Sequence, residues 1–189
     1  AATSVDDCLC EPGHFLLAQT CTACLPDTYK PYFGAQTCTN CPANSIALQG
    51  SNALTACQCN VGYTGPNGGP CTDCPEGSYK DNPGSQGCTP CSNHMTSPLA
   101  SITITQCQCL PGYTGTNGVS CSPCSPGSFK ASQGETSCSL CPDNTQSGEG
   151  ASACVANPGF TVHNTIVSPC AVNTYKADPG DQACTPCPT

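Results

Sequence analysis

Tryptophan and arginine are absent from this 189-residue chain, and methionine occurs once. Aromatic residues make up only 5% of it and charged residues 8%. A chain of this length would ordinarily fold around one or two substantial cores, but so few large side chains cannot build them. Four lysines are the whole basic complement, against twelve acids, for a formal net charge of −8. Nucleic-acid binding needs a basic stripe to displace counterions from phosphate, and none can be assembled here. No apolar run approaches the length that inserts in a membrane. No Asn-x-Ser/Thr sequon occurs, whereas abundant Ser and Thr in loops and beside Pro permit O-linked glycans.

What the chain has instead is 22 cysteines, 19 glycines and 19 prolines. Cysteine at this density marks a disulfide scaffold in an oxidising compartment, so the expected location is extracellular or at the cell surface. The expected fold class is small and disulfide-rich. It is an elongated tandem array of short β-hairpins and loops, with little regular secondary structure and no large core.

One stretch organises the rest. Cys74-Pro75-Glu76-Gly77-Ser78-Tyr79-Lys80 recurs as Cys24 to Lys30, Cys124 to Lys130 and Cys170 to Lys176. Each copy is followed by a glycine four residues after the lysine: Gly34, Gly84, Gly134 and Gly180. The third residue after the cysteine is Asp27, Gly77, Gly127 or Asn173, types that tolerate a left-handed backbone, so a tight turn is expected there. All four basic residues of the chain sit at one position of this motif: Lys30, Lys80, Lys130 and Lys176. Two readings stand for them. One is a solvated stem lying over the neighbouring ring; the other is a repeated contact to a carboxylate or glycan.

Around this motif the chain divides into a short polar lead, 1–7, and repeats at 8–56, 57–106 and 107–153. A truncated, cysteine-depleted fourth repeat follows at 154–189. Between the second and third cysteines of a repeat, Gly-rich segments such as Asn60 to Pro70 read as irregular hairpins. Ser101-Ile102-Thr103-Ile104-Thr105 alternates as a strand would. No segment has helical periodicity with caps.

The fourth repeat bears on the disulfides. It has Ala156 and Val167 where the second and third cysteines of the unit belong. Cysteines lost together point to partners, since a lone survivor would be a free thiol. That pairs Cys10 with Cys21, Cys59 with Cys71, and Cys109 with Cys121. Neighbour pairing of the rest gives Cys24–Cys38, Cys74–Cys88, Cys124–Cys138 and Cys170–Cys184. It also gives Cys41–Cys57, Cys91–Cys107 and Cys141–Cys154, which staple each repeat to the next. A crossed alternative, third with fifth and fourth with sixth, would strand cysteines in the fourth repeat. Each neighbour loop is near the length for which a bridge contributes roughly 3 kcal/mol. Cys8 and Cys187 are left unpaired or intermolecular: the ends of a window from a longer array, or head-to-tail contacts that build filaments.

No cofactor, metal site or catalytic residue is expected, and the chain does not read as an enzyme. Cys21-x-x-Cys24 with Cys38-x-x-Cys41 has zinc-ribbon spacing. The additional Cys-x-Cys pairs and Val167 argue against it. His14, His94 and His163 fall at unrelated repeat positions, with His14 standing where Tyr63 and Tyr113 stand in later repeats. Asp6-Asp7 lacks the remaining ligands of a calcium loop.

Cys-x-Cys-x-x-Gly-Tyr (Cys57 to Tyr63, Cys107 to Tyr113) and Cys-x-x-Cys-Pro-x-Gly-Ser-Tyr-Lys (Cys71 to Lys80) resemble the cysteine-rich repeats of ephrin receptors and their TNF-receptor-like and EGF-like relatives. The resemblance covers nearly all of residues 8 to 189. It implies extracellular, non-enzymatic rods serving as stalks, spacers or protein-binding surfaces. Similar arrays occur in the proteins of algal mastigonemes, hair-like flagellar filaments. The expected function is accordingly a structural protein whose stapled repeats self-assemble into a filament or surface coat, with regularly spaced lysines presenting one face. The alternative is an ectodomain stalk, or a receptor or adhesion module that binds other extracellular proteins. Such a module would break its periodicity with an apolar patch, for which Phe15-Leu16-Leu17 and Tyr32-Phe33 are the candidates.

Overall fold

The computed structural model describes residues 9–163 and 166–188, so the expectations placed on Cys8 and on the lead lie outside the described residues. The described chain forms two compact units. The first takes the chain up to Cys91 together with Ser97–Gln106; the second takes Ser92–Thr96 and the chain from Cys107 onward.

Each sheet among the described residues is a two-stranded antiparallel hairpin. In the first unit, β1 (His14–Leu17) pairs with β2 (Thr20–Ala23), and β3 (Thr28–Tyr29) with β4 (Thr39–Asn40). Then β5 (Ser45–Ile46) pairs with β6 (Gln58–Cys59), β7 (Tyr63–Thr64) with β8 (Thr72–Asp73), and β9 (Ser78–Tyr79) with β10 (Thr89–Pro90). The second unit repeats the cycle. β11 (Met95–Thr96) pairs with β12 (Gln108–Cys109), β13 (Tyr113–Thr116) with β14 (Ser120–Pro123), and β15 (Ser128–Phe129) with β16 (Ser139–Leu140). β17 (Thr145–Gln146) pairs with β18 (Val155–Ala156), β19 (Phe160–His163) with β20 (Ile166–Pro169), and β21 (Thr174–Tyr175) with β22 (Thr185–Pro186). The pairing of β11 with β12 explains why Ser92–Thr96 packs with the second unit: the end of one repeat makes its ladder with the start of the next.

Hairpins this short cannot stand on their own ladders. Their interior is sulfur: Cys10, Cys24, Cys57, Cys59, Cys74, Cys107, Cys109 and Cys124 are fully buried or nearly so. The tight turn of the repeated motif is present, with φ of 65° at Asp27, 76° at Gly77, 80° at Gly127 and 64° at Asn173. Beside it the hydroxyl of Thr28, Ser78, Ser128 or Thr174 donates to the carbonyl three residues back.

Ser101–Thr105 is not a strand. Ser101 makes one parallel bridge to Tyr79, and Ile104–Gln106 closes a single 3-10 turn. The side-chain oxygen of Gln106 accepts the amides of Ile102 (2.6 Å) and Thr103 (3.1 Å), so the segment satisfies itself locally. Among the described residues, no helix is long and apolar enough to cross a membrane.

Candidate functional site: buried lysines and the exposed face of the first repeat

The lysines contradict both readings of them, and their assignment to a candidate interface is corrected here. Lys30, Lys80, Lys130 and Lys176 are only 3%, 4%, 3% and 6% exposed. None presents its charge to a partner. The Lys80 Nζ donates to the carbonyls of Cys59 (3.2 Å), Asn60 (3.3 Å), Tyr63 (2.8 Å) and Gly84 (2.9 Å). Lys130 repeats this with Cys109 (3.4 Å), Leu110 (3.5 Å) and Tyr113 (2.8 Å). Lys30 donates to Cys10 (3.3 Å) and Gly34 (2.9 Å). Lys176 donates to Ala156 (3.4 Å), Phe160 (2.7 Å) and Gly180. That Ala156 serves as well as a cysteine shows that the ammonium reads a backbone position, not a disulfide.

The lysine backbone is equally engaged. Gly13, Gly62, Gly112 and Gly159 donate their amides to the carbonyls of Lys30, Lys80, Lys130 and Lys176 at 2.8, 2.8, 2.8 and 2.9 Å. The glycine four residues on completes the cradle: Gly34, Gly84, Gly134 and Gly180 donate to Cys10, Cys59, Cys109 and Ala156. Each lysine thus ties the motif to the hairpin before it. Two to four carbonyls converging on one point suit a compact ammonium, whereas a planar guanidinium would splay them. No carboxylate stands within ion-pair distance of these ammonium groups among the described residues, where the sole such contact is His14 Nδ1 with Glu11 at 3.7 Å. Burial accordingly pushes Lys80 and Lys130 below the usual lysine range. The sequence marked the position, since lysine recurs there and nowhere else in the chain, but not its burial.

The cysteines are joined as Cys10–Cys21, Cys24–Cys38, Cys41–Cys57, Cys59–Cys71 and Cys74–Cys88. Further on they are joined as Cys109–Cys121, Cys124–Cys138, Cys141–Cys154 and Cys170–Cys184. Cys91 and Cys107 are disulfide-bonded as well. Every cysteine of the zinc-ribbon spacing is therefore committed to sulfur. Cys187 is an exposed free thiol. His94 stacks on Tyr113, ring centroids 4.0 Å apart, which is a packing role.

Of the other interface candidates, Tyr32 is 74% exposed and Phe33 67%, and Leu17 is also exposed. Phe15 and Leu16 are half-buried on β1. Phe15 lines a small depression with Leu25 and Thr37, beside the cup that Tyr32 forms with Gln36 and Thr39. Sequence reasoning missed a larger apolar groove, formed between Ile46, Leu48 and Pro83.

A sulfur-cored, lysine-tied hairpin unit in tandem copies defines a disulfide-rich extracellular-type repeat module. The family model described as tyrosine-protein kinase ephrin type A/B receptor-like matches residues 13–59, 62–107 and 112–156. The chain belongs to this ephrin-receptor-like repeat family, a non-catalytic domain type. It is 43% identical over 77 residues to human ephrin type-B receptor 4, covering 37% of this chain and 8% of that protein. It is also 43% identical over 63 residues to rat sushi, von Willebrand factor type A, EGF and pentraxin domain-containing protein 1, covering 30% of this chain and 2% of that protein. Mouse ephrin type-B receptor 4 is 35% identical over 65 residues, covering 33% of this chain and 6% of that protein. The chain thus spans less than a tenth of the length of these relatives.

Proposed function

We propose that this chain is a non-enzymatic extracellular segment that binds other proteins, a stalk and docking surface of a receptor or adhesion ectodomain. The observation that carries this reading is the break in periodicity at the first repeat. Tyr32 and Phe33 stand exposed where the second motif has Asn82 and Pro83 and the third has Ser132 and Gln133. Exposed aromatics on a rigid stapled loop are the usual anchors of protein recognition. The family supports it, since a receptor is among the relatives. So does the extent of cysteine oxidation, which fits an oxidising compartment.

The filament reading drew on the constant repeat gaps, on lysines repeated along one face, and on end cysteines joined head to tail. With those lysines spent on backbone carbonyls, the lysine part of that argument for self-packing is gone. The test is to apply the tagged, soluble chain to intact cells, follow saturable binding, and measure its own association state by analytical ultracentrifugation. A monomer that binds a cell-surface protein supports the proposal. Concentration-dependent polymers with no binding to other proteins would overturn it in favour of a filament or coat.

A further inference from the structure

We propose that the groove between the first and second repeats docks a protein segment that sets an aliphatic or aromatic side chain beside a lysine or arginine. This rests on the protein-binding reading above and names the chemistry of the partner. The groove is an open cavity of about 510 Å³ lined by the apolar Ile46, Leu48, Ala56 and Pro83 and by the polar Asp27 and Gln58. Leu48 is 85% exposed, so its apolar surface is left in water.

The later repeats show what is unusual here. Ile46-Ala47-Leu48 stands where they have Thr96-Ser97-Pro98 and Gln146-Ser147-Gly148. In those copies the serine hydroxyl ties the segment down, Ser97 donating to the Ser78 carbonyl and Ser147 to that of Ser128, each at 2.8 Å. Ala47 has no hydroxyl to give. Instead Asp27, which replaces Gly77 and Gly127, uses Oδ1 to accept the Ala47 amide at 3.1 Å. One repeat has thus exchanged a neutral hydroxyl for an exposed carboxylate and lined the space beside it with aliphatics.

Charge complementarity selects the occupant. Among the described residues the Asp27 side chain accepts one hydrogen bond, from the Ala47 amide to Oδ1, and no cation of this chain answers its charge. A second copy is a poor occupant for the same reason. Its four lysines are buried on carbonyls, and two chains of net charge −8 repel. The base must come from a different protein, and the apolar walls call for a hydrophobic neighbour to that base.

The experiment uses the whole chain, ¹⁵N-labelled, titrated with the synthetic peptide acetyl-Arg-Leu-Phe-Lys-amide and its acidic twin acetyl-Glu-Leu-Phe-Glu-amide. Amide shifts at Ala47, Leu48, Ala56 and Gln58 with the basic peptide are expected, with affinity about fivefold weaker in Asp27→Asn, the upper range for an exposed ion pair. Asparagine is safe there, because Asn173 holds the same left-handed turn in the fourth motif. A graft of Asp27→Gly, Ile46→Thr, Ala47→Ser and Leu48→Pro repaints the groove as the second repeat and should abolish the shifts. Equal response to both peptides, shifts located elsewhere, or no loss in Asp27→Asn would overturn the proposal. Cell binding of the graft separates the two claims. Undiminished binding sinks the groove and leaves the protein-binding reading standing. A chain that docks the basic peptide but binds no cell-surface protein sinks that reading and leaves the groove.

Discussion

The ammonium of Lys80 lies 2.8 Å from the carbonyl oxygen of Tyr63, seventeen residues earlier, so a side chain of the motif closes the hairpin that precedes it. Lys80→Met would leave the carbonyls of Cys59, Asn60, Tyr63 and Gly84 facing an apolar chain. A loss of about 2–4 kcal/mol confined to the second repeat is expected, with Lys80→Arg failing to restore it. Hydrogen exchange at the Gly62 and Gly84 amides measures this repeat by repeat, which a single melting curve does not. Undiminished protection would refute the tie.

The same burial gives a pH dependence. Lys80 and Lys130 titrate below their ordinary value of 10.5 in the folded chain, because burial disfavours the ammonium. Unfolded, they recover that value and bind more protons than the folded state between the two. Stability contributed by these groups therefore rises with pH across that window. The denaturant midpoint should be slightly higher at about pH 10 than at about pH 8, with Cys187 alkylated to prevent disulfide exchange. A falling midpoint would mean that the carbonyl contacts outweigh burial.

Glycines of nearly equal positive φ should differ in tolerance. Gly62 has φ of 77°, and a methyl group there would lie 2.4 Å from the carbonyl oxygen of Ala100. Gly127 has φ of 80°, and a methyl group would meet nothing within 4 Å. Gly62→Ala should cost about 3 kcal/mol and Gly127→Ala about 1 kcal/mol, the latter from strain alone. Equal losses by urea denaturation would contradict the packing described.

The fourth repeat predicts which disulfide is dispensable. There Val162 pairs with Val167 across β19 and β20, at the register where Gly115 meets Cys121 in the third repeat. A cross-strand valine pair can hold that hairpin. The substitutions Cys59→Ala and Cys71→Val together leave Gly65 where the fourth repeat has Val162, yet should keep the second repeat folded, because the Lys80 bonds to the carbonyls of Cys59, Asn60, Tyr63 and Gly84 remain. Cys74→Ser with Cys88→Ser should cost about 3 kcal/mol and open it. Limited proteolysis distinguishes them, and cleavage of the first variant as fast as the second would count against this account.

Tyr32→Ser with Phe33→Ser should leave stability within about 0.5 kcal/mol, since both rings are already in water. Cell-surface binding should drop. Retained binding would remove these rings from the interface.

Composition and spacing alone determined the class of this protein. Cysteine density, missing aromatics and the tandem motif leave no route to a large core, and Gly, Asp or Asn at one position announces a left-handed turn because other residues strain there. The family was legible for the same reason: fixed loops need fixed spacings. Only the tertiary structure decided the fate of the lysines. Exposure is not a property of a residue type, and an ammonium can be buried only where folding brings several backbone carbonyls to one point. Ser101–Thr105 shows the same limit, its alternation overridden by the side chain of Gln106. The groove at Leu48 was hidden likewise, since its walls come from segments that only the disulfides and hairpins bring together.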